Sequence, residues 1–346
     1  MAANSKIEWT DSTFNPWIGC TKISPACDHC YAEAQMDTRM SRVKWGAGQP
    51  RSRTSESYWK QPLRWNARPF VECMACGWRG EKRECNVADG HPGFHPPVAS
   101  CALCPNCMEP TMKASRRRVF CASLADVFDN EAPPAWRAEL LALISGTPNL
   151  DWLLLTKRIG NVAKMIEAPG MQKCGLPPNV WLGSTICNQA EAERDIPKLL
   201  AVPAARHFLS IEPMLSGLDV RPWLPGPCQH PACHEGSIPV AGSGRPCPWC
   251  QCGPSKRLDW IIAGGESGPH ARPSPPDWFR SLRDQCAAAG VPFLMKQWGE
   301  YVEWTGAESP SPSWRFPHPD NTPMVRVGKK AAGRLLDGVE HNGVPA

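Results

Sequence analysis

The fold is decided by an apolar run that becomes polar at its end, Trp152-Leu153-Leu154-Leu155-Thr156-Lys157-Arg158. A continuous apolar run of this length is typical of a strand that is buried on both faces of a parallel sheet. Similar runs cover residues 119–123, 180–184, 207–213, 258–266 and 291–297. With a first strand near Trp17-Ile18-Gly19, we predict about seven strands in all.

Segments with helical character lie between these runs. Residues 135–144 and residues 278–286 each begin shortly after a Pro-Pro pair, and a glycine lies beyond each of them, at Gly146 and Gly290. Proline at the start of a helix and glycine beyond its end are the expected order of boundary residues. Strands that alternate with helices form parallel βαβ units, so we predict the α/β class and a partial or full (β/α) barrel.

Two stretches interrupt this alternation. Both are rich in Cys, His, Pro and Gly and lack apolar periodicity, so we interpret them as insertions on loops of the barrel. Without them the chain has close to the ~250 residues that are typical of a (β/α) barrel. The C-terminal stretch is rich in Pro, Ser and Gly and is predicted to be partly flexible. The predicted domains are a barrel of residues 1–70, 116–225 and 258–304, insertions at 71–115 and 226–257, and a tail at 305–346.

The composition indicates metal chemistry, because the chain has 18 cysteines in 346 residues. No apolar stretch is long enough for a transmembrane helix, and the N-terminus lacks the apolar core of a signal peptide. We therefore expect a cytoplasmic protein with no membrane partner and with reduced thiols. Clustered cysteines in such a protein bind metal or carry out redox chemistry. A formal net charge of +5 is too small to indicate a nucleic-acid partner by itself.

The first cysteine group is Cys20, Cys27 and Cys30, with the spacing Cys-x6-Cys-x2-Cys. Three thiolates leave a four-iron cluster one ligand short, so that one iron stays open to a substrate or cofactor. The alternative is a zinc site that His29 completes, although structural zinc sites usually draw on two separated ligand pairs. The spacing alone leaves both alternatives open.

Polar or glycine residues end nearly every predicted strand. The carboxyl ends of parallel strands are where ligands gather in these folds, so we expect one site at the mouth of the barrel. Its candidate residues are Cys20, Ser123, Asp126, Thr156, Lys157, Ser184, Glu212, Gly264, Gly265, Glu266, Lys296 and Gln297.

A family resemblance covers nearly the whole predicted barrel and skips the two insertions. The matching segments are residues 7–20 with the Cys27 and Cys30 pair and Tyr31-Ala32-Glu33, then 123–128, 155–158, 179–183, 209–213, 264–268 and 296–299. In these segments the chain resembles the phage-associated three-cysteine-motif family, which is similar to the radical S-adenosylmethionine (SAM) enzymes. The resemblance implies a radical-SAM-like barrel in which Cys20, Cys27 and Cys30 hold a [4Fe-4S] cluster. It also implies that reductive cleavage of SAM at this cluster starts hydrogen abstraction from a substrate.

The resemblance also implies roles for residues at the strand ends. Ser123 and Asp126 would accept the SAM ammonium group, and Lys157 would pair with its carboxylate. The ribose hydroxyls would be contacted by Thr156, Ser184 and Glu212. An electron donor for the cluster and a protein partner that is encoded nearby are the expected partners.

Two departures from the radical SAM pattern concern the first cysteine gap and a Gly-Gly-Glu motif. The common spacing is Cys-x3-Cys-x2-Cys, and the first gap here is longer. The motif usually follows the second strand, whereas Gly264-Gly265-Glu266 follows the sixth. By position we assign Gly264 and Gly265 to close backbone approach to adenosine and Glu266 to a polar contact or proton transfer. The alternative is a loop glycine pair beside a solvated Glu.

The insertions contain the remaining cysteine groups. Two tight pairs of the zinc-ribbon type offer four thiolates for a tetrahedral Zn²⁺, from Cys73, Cys76, Cys104 and Cys107. A second zinc site in the same insertion would use Cys85, His91, His95 and Cys101. In the second insertion the predicted zinc ligands are Cys228, Cys233, Cys247 and Cys250. An additional iron–sulfur cluster is the alternative there.

Residues 39–68 interleave eight Lys or Arg with Trp45, Tyr58, Trp59 and Trp65 against one acid, Glu56. This pattern is typical of single-strand or flipped-base binding, and it predicts a nucleic-acid or nucleotide substrate. The alternative is a solvated layer whose aromatic side chains pack on the barrel. Besides a radical SAM enzyme, the sequence therefore admits a zinc-dependent nucleic-acid-binding protein on a barrel scaffold. It also admits a metal-dependent hydrolase that uses Asp126, Glu212 and Glu266.

Overall fold

The computed structural model describes residue 5 and residues 7–88, 101–167, 175–225, 257–304, 306, 314–315 and 322–345. The chain forms a mixed α/β fold around a seven-stranded parallel sheet that curls into a half-barrel. The strands lie in the sheet in the order of the chain. They are β1 (Ser12–Thr13), β2 (Arg117–Cys121), β3 (Leu150–Thr156), β4 (Val180–Thr185), β5 (Arg206–Ile211), β6 (Trp260–Gly264) and β7 (Phe293–Gln297).

Four helices connect the strands on one face of the sheet: α1 (Pro134–Ser145), α2 (Ile159–Ile166), α3 (Gln189–Ala201) and α4 (Pro276–Ala289). The two helices predicted from the sequence, α1 and α4, are confirmed. Proline occupies the first turn of each, and Gly290 ends α4 in the left-handed conformation with φ of 66°. The buried side chains of these helices share one apolar core with the outer face of the strands. The helices therefore cover the convex side of the half-barrel.

The inner face has a core of its own, and it is largely aromatic. Its buried members are Trp9, Phe120, Leu153, Trp181, Phe208, Trp260, Ile262 and Leu294. Gly183 makes room for this packing, since a Cβ atom there would lie 2.3 Å from the Phe208 ring. Apolar side chains therefore fill the middle of the lumen and leave its two ends for polar groups.

The first strand is not where the sequence predicted it. Trp17–Ile18 pairs antiparallel with Ser52–Arg53 outside the main sheet, and Ser12–Thr13 pairs parallel with β2 instead. Phe14 N donates to Phe120 O at 2.9 Å, and Pro16 has no N–H to continue this alternate-residue ladder. A strand of two residues is too short to show as an apolar run.

The first predicted insertion contains two small sheets. One is three-stranded and antiparallel, made of Phe70–Cys73, Arg79–Glu81 and Met112–Ser115, and the other pairs Asn86–Ala88 with Cys101–Leu103. Residues 226–256 of the second predicted insertion, with its proposed zinc ligands Cys228, Cys233, Cys247 and Cys250, lie outside the described residues. So do His91 and His95 of the second predicted zinc site, together with the side chain of Cys101.

Short elements complete the fold. Part of the predicted tail pairs back onto the barrel, because Leu294 forms a bridge with Asn342 and Met295 N donates to His341 O at 3.0 Å. Among the described helices, none is both long enough and apolar enough to cross a membrane. The remaining short elements are Pro25–Cys27, Tyr31–Glu33, Ala34–Arg39, Glu56–Trp59, Gln61–Asn66, Lys82–Glu84, Arg221–Trp223, Tyr301–Glu303, Trp314–Arg315, Pro323–Arg326 and Lys329–Ala332.

Candidate metal centres and the mouth of the half-barrel

The three-cysteine loop, residues 20–30, begins at the carboxyl ends of β2 and β3. Gly19 N donates to Leu124 O at 3.1 Å, just beyond β2. Arg158, just beyond β3, places Nη2 2.7 Å from Thr21 O and 4.0 Å from Cys20 Sγ. Burial raises the pKa of the Cys20 thiol to about 12, and the nearby carboxylates of Asp126 and Asp129 add to this effect.

The far end of the loop is fastened to the end of β6 by Arg272. Its guanidinium donates to Pro25 O at 2.9 Å and to Asp28 Oδ2 at 2.9 Å, and it also donates to both carboxylate oxygens of Glu266. His29 Nδ1 lies 3.1 Å from Glu266 Oε1. Burial acts to raise the pKa of Glu266, but the hydrogen bonds from Arg272 outweigh it and the pKa is lowered. The loop therefore spans the mouth from β3 to β6.

A fourth thiol touches the middle of the loop from the end of β4. Cys187 Sγ lies 4.0 Å from Ser24 Oγ and 3.1 Å from Glu191 Oε2. Burial raises the pKa of Cys187 to about 12, and Glu191 adds to the shift. Cys187 is therefore a protonated neighbour of the loop.

The loop thiols differ in their surroundings. Cys27 is buried, and Cys20 and Cys30 are half-buried. Within the described parts of the chain, these three residues and His29 do not form a group whose ligand atoms all lie within 4.8 Å of one another. A zinc site completed by His29 is therefore not assembled, and the Nδ1 atom of His29 already faces Glu266.

A polar cluster lines the inner face of the sheet below the loop. Glu212 follows β5, and its Oε1 atom lies 3.1 Å from Lys296 Nζ on β7. Ser210 Oγ donates to Glu212 Oε2 at 3.1 Å. Gly264 permits this arrangement, since a Cβ atom there would lie 2.8 Å from Glu212 Oε1. Glu212, Ser210 and Lys296 together form an ion-paired wall, which we call the inner polar cluster.

Tyr31 connects the loop with this wall. Its hydroxyl donates to Ser123 O at 2.5 Å. Burial raises the pKa of Tyr31, and the nearby Cys30 and Glu212 groups act in the same direction. The residue as a whole is 58% exposed, so its ring faces solvent while its hydroxyl points into the mouth. The sequence motif includes Tyr31 but predicts no role for it.

Asp126, which follows β2, accepts hydrogen bonds from two other predicted site residues at the end of β3. Asp126 Oδ1 accepts from Thr156 Oγ1 at 2.8 Å, and Asp126 Oδ2 accepts from Lys157 N at 3.0 Å.

Thr156 and Ser184 are paired across β3 and β4 and share the helix-facing side with Leu154 and Leu182. The Ser184 hydroxyl is buried there without a hydrogen-bond partner.

The predicted glycine pair after β6 brings two backbone segments together. A Cβ atom at Gly265 would lie 1.9 Å from Trp298 O, and one at Gly299 would lie 2.0 Å from Glu266 O. Gly299 also has a φ of 83°, which other residues rarely adopt. The close contact permitted by Gly265 is therefore with the protein's own chain, and an approach to adenosine stays a prediction.

A second cysteine cluster, the ribbon, lies in the first insertion. The ligand atoms of Cys73, Cys76, Cys104 and Cys107 all lie within 4.8 Å of one another, so this group could hold a metal ion. Cys73 Sγ and Cys107 Sγ are 3.6 Å apart, as are Cys76 Sγ and Cys104 Sγ. Four thiolates at 2.3 Å from a tetrahedral ion would be about 3.8 Å apart. The ribbon is therefore close to the geometry of a four-thiolate site.

The comparison with protein families covers both cysteine clusters. A family model described as a protein of unknown function, DUF5131, matches residues 4–345. The chain belongs to the DUF5131 family. No curated protein and no solved structure matches the chain. The resemblance of this DUF5131 protein to the three-cysteine-motif family stays a prediction.

The aromatic side chains of the basic stretch in the DUF5131 protein pack largely against the barrel, whereas six of its eight Lys or Arg residues are exposed. Trp59 and Trp65 are buried, and the guanidinium of Arg53 lies 4.0 Å from the centre of the Trp59 ring. Arg51 is buried and pairs with Asp129 at 2.6 Å. These aromatic faces are therefore not available for stacking on bases, which favours the structural alternative for them.

Sequence reasoning missed the two arginines that hold the loop. Arg158 stands at the polar end of a predicted strand with no role assigned to it, and Arg272 lies in an irregular segment with no motif around it. Arg158 is 137 residues from its partner Thr21 in the chain, and Arg272 is 244 residues from its partner Asp28. No local pattern in the sequence contains such a pairing.

We expect Arg272→Ala to lower the free energy of unfolding of the DUF5131 protein by about 2 kcal/mol, because it leaves the buried Glu266 carboxylate without its main donor. Thermal unfolding monitored by circular dichroism measures the change. The matched control is Arg221→Ala, since Arg221 pairs with Asp219 in an exposed ion pair. Such a pair contributes at most ~1 kcal/mol. Equal shifts in the two variants would contradict a fastening role for Arg272.

Proposed function

We propose that the three-cysteine loop holds a [4Fe-4S] cluster and that the protein is a radical SAM enzyme. The observation that carries this proposal is the position of the loop. It spans the carboxyl ends of the strands from β3 to β6, above the inner polar cluster. In parallel α/β sheets this edge is where ligands and cofactors bind.

The donor set of the loop suits such a cluster. Thiolates are the ligands that iron–sulfur clusters take from proteins, and three of them leave one iron with an open position. His29 contacts Glu266 through Nδ1, so it is not placed as a fourth ligand through that atom. A cluster also holds its thiolates farther apart than a single tetrahedral ion does, which agrees with the wider arrangement of this loop.

The chain offers polar groups to hold and orient SAM. Glu212 and Lys296 face the lumen and present opposite charges. We therefore propose Glu212 as the contact to the ribose hydroxyls and Lys296 as a partner of the SAM carboxylate, in place of Lys157. Ser123 and Asp126 stay candidates for the ammonium group. Together, bound cluster and SAM would supply hydrogen-abstracting radical chemistry, while the aromatic packing of the lumen keeps water out.

Within the described residues, the three carboxylates of the hydrolase alternative do not form a group whose ligand atoms all lie within 4.8 Å of one another. Asp126 is bonded to Thr156, Glu212 to Lys296 and Glu266 to Arg272. The observation that supports the alternative of a zinc-dependent nucleic-acid-binding protein is the ribbon, for which we propose Zn²⁺.

For the radical SAM enzyme we propose a nucleic acid or nucleotide as the substrate. Its proposed partners are an electron donor for the cluster and a protein encoded nearby.

Metal analysis of protein purified without oxygen tests the proposal. We expect roughly four iron and four sulfide per chain, together with one to three zinc. A SAM-cleavage assay that measures 5′-deoxyadenosine then tests the activity. Zinc without iron, even after attempted reconstitution, would overturn the radical SAM proposal and leave the binding-protein alternative.

A further inference from the structure

A groove lies at the opposite end of the strands from the three-cysteine loop. It has a volume of about 650 Å³ and is bounded by residues at the amino ends of β2, β3, β4 and β5 together with the ribbon strand Met112–Ser115. The groove lies below the aromatic packing of the lumen, because Trp181 belongs to both. It is therefore separate from the mouth where the loop lies.

Basic side chains dominate the lining of the groove. They are Arg79, Lys113, Arg116, Arg118 and Arg206, against the acids Glu72 and Asp151. Arg79 is already neutralised by hydrogen bonds to Asp11 and Glu72. Arg116 and Arg118 have long ion pairs: the pair of Arg116 with Asp151 measures 3.5 Å, and that of Arg118 with Asp11 measures 3.7 Å. These cations keep capacity for a further anion.

Arg118 is the strongest indication that the groove has a ligand. The residue is buried at 7% exposure, and its Nη1 atom has no hydrogen-bond partner. Burial lowers the pKa of Arg118, and the neighbouring Arg79 charge acts in the same direction. A buried cation without full pairing is costly, and an anion at this wall would remove that cost.

The residues that line the groove favour a phosphate group over a nucleobase as its ligand. Trp181 is the aromatic residue of its lining, and its ring is buried against Trp260 with the Arg206 guanidinium 5.5 Å from its centre. No aromatic face of this lining is open for stacking. Lys113 and Arg116 are exposed and stand at the rim, where they can reach a phosphate oxygen from the solvent side.

We propose that this groove binds phosphate groups, with Lys113, Arg116 and Arg118 as the contacting residues. The ribbon belongs to this site because its strand Met112–Ser115 forms one wall and pairs with the strand that ends at Cys73. The inference does not rest on the proposed function, since the groove and the three-cysteine loop lie at opposite ends of the sheet.

Binding of a labelled single-stranded DNA oligonucleotide to the full chain tests the proposal, with ATP and inorganic phosphate in separate titrations. We expect the double variant K113E/R116E to weaken binding roughly tenfold for each lost contact. For the oligonucleotide, the slope of log Kd against log salt should fall by about 0.7 for each lost contact. The control is K60E/R64E, which makes the same charge change in the exposed part of the basic stretch.

The separate titrations distinguish a nucleic-acid ligand from a free phosphate ligand. Oligonucleotide binding that K113E/R116E weakens and K60E/R64E leaves intact supports a nucleic-acid ligand. The same dependence seen only for ATP or inorganic phosphate supports a free phosphate ligand. Equal losses in both double variants, or no binding in any arm, would overturn the proposal. Circular dichroism of each variant confirms that it is folded.

Discussion

The Cys30→Ala variant is expected to lose the iron that we propose for the three-cysteine loop and, with it, all measurable SAM cleavage. Two thiolates cannot replace the three that hold a cluster with one open iron, so the cofactor site should be lost and not merely weakened. We expect at least a hundredfold drop in the rate of 5′-deoxyadenosine formation. Iron and sulfide per chain, measured on the same anaerobic sample, show whether the loss of activity comes from loss of the cluster.

Cys187→Ala is the matched control for this experiment. It removes a thiol that touches the same loop, 4.0 Å from Ser24 Oγ, but lies outside the cysteine motif. We expect it to keep its iron and its activity. Retained SAM cleavage in Cys30→Ala would contradict the cluster assignment. Equal losses of iron and activity in both variants would mean that the substitutions only disrupt the loop.

The Cys73→Ser variant is expected to lose about one metal ion per chain and the order of the ribbon. Cys73 ends a strand of a small antiparallel sheet with little apolar core, and the other three thiols lie beside it outside the strands, so we expect metal binding to supply much of the folding free energy of this segment. Structural zinc contributes ~10–16 kcal/mol in small peptides of this kind. Metal content and limited proteolysis measure the change, with new cleavage expected between residues 70 and 115.

The control for the ribbon is Met74→Ser. Met74 follows Cys73 directly and is 63% exposed, so its replacement disturbs the same turn without removing a ligand. We expect unchanged metal content and an unchanged cleavage pattern. Full metal content in Cys73→Ser would show that the four cysteines do not form the site.

The positions of the long strands could be predicted from the sequence because burial on both faces requires an unbroken apolar run. Leu150–Thr156, Val180–Thr185 and Phe293–Gln297 all coincide with such runs. The position of β1 could not be predicted in this way. Its two residues are held by hydrogen bonds to β2 and carry no apolar signature. The prediction of Trp17–Ile18 as the first strand was therefore wrong.

The sequence was sufficient to predict which strand ends form the candidate site, but not how the side chains are arranged there. Strand ends placed Thr156, Ser184 and Glu212 at the same edge, and the structure places all three there. A run that is apolar on both faces does not show which face each side chain takes, so Glu212 on the inner face could not be separated from Thr156 on the outer face. The ribbon was easier, since two close cysteine pairs already define a four-thiolate site.

The fastening of the loop also determines when it can acquire its shape during synthesis. Cys20, Cys27 and Cys30 emerge from the ribosome early, whereas Arg272, which holds Asp28, follows 244 positions later. Until that residue is made and β6 has joined the sheet, the three thiols belong to a nascent segment with one anchor point missing. We therefore expect the proposed cluster to be loaded late in the maturation of this protein. A ribosome that stalls before residue 272 would leave the three thiols on a loop without this fastening.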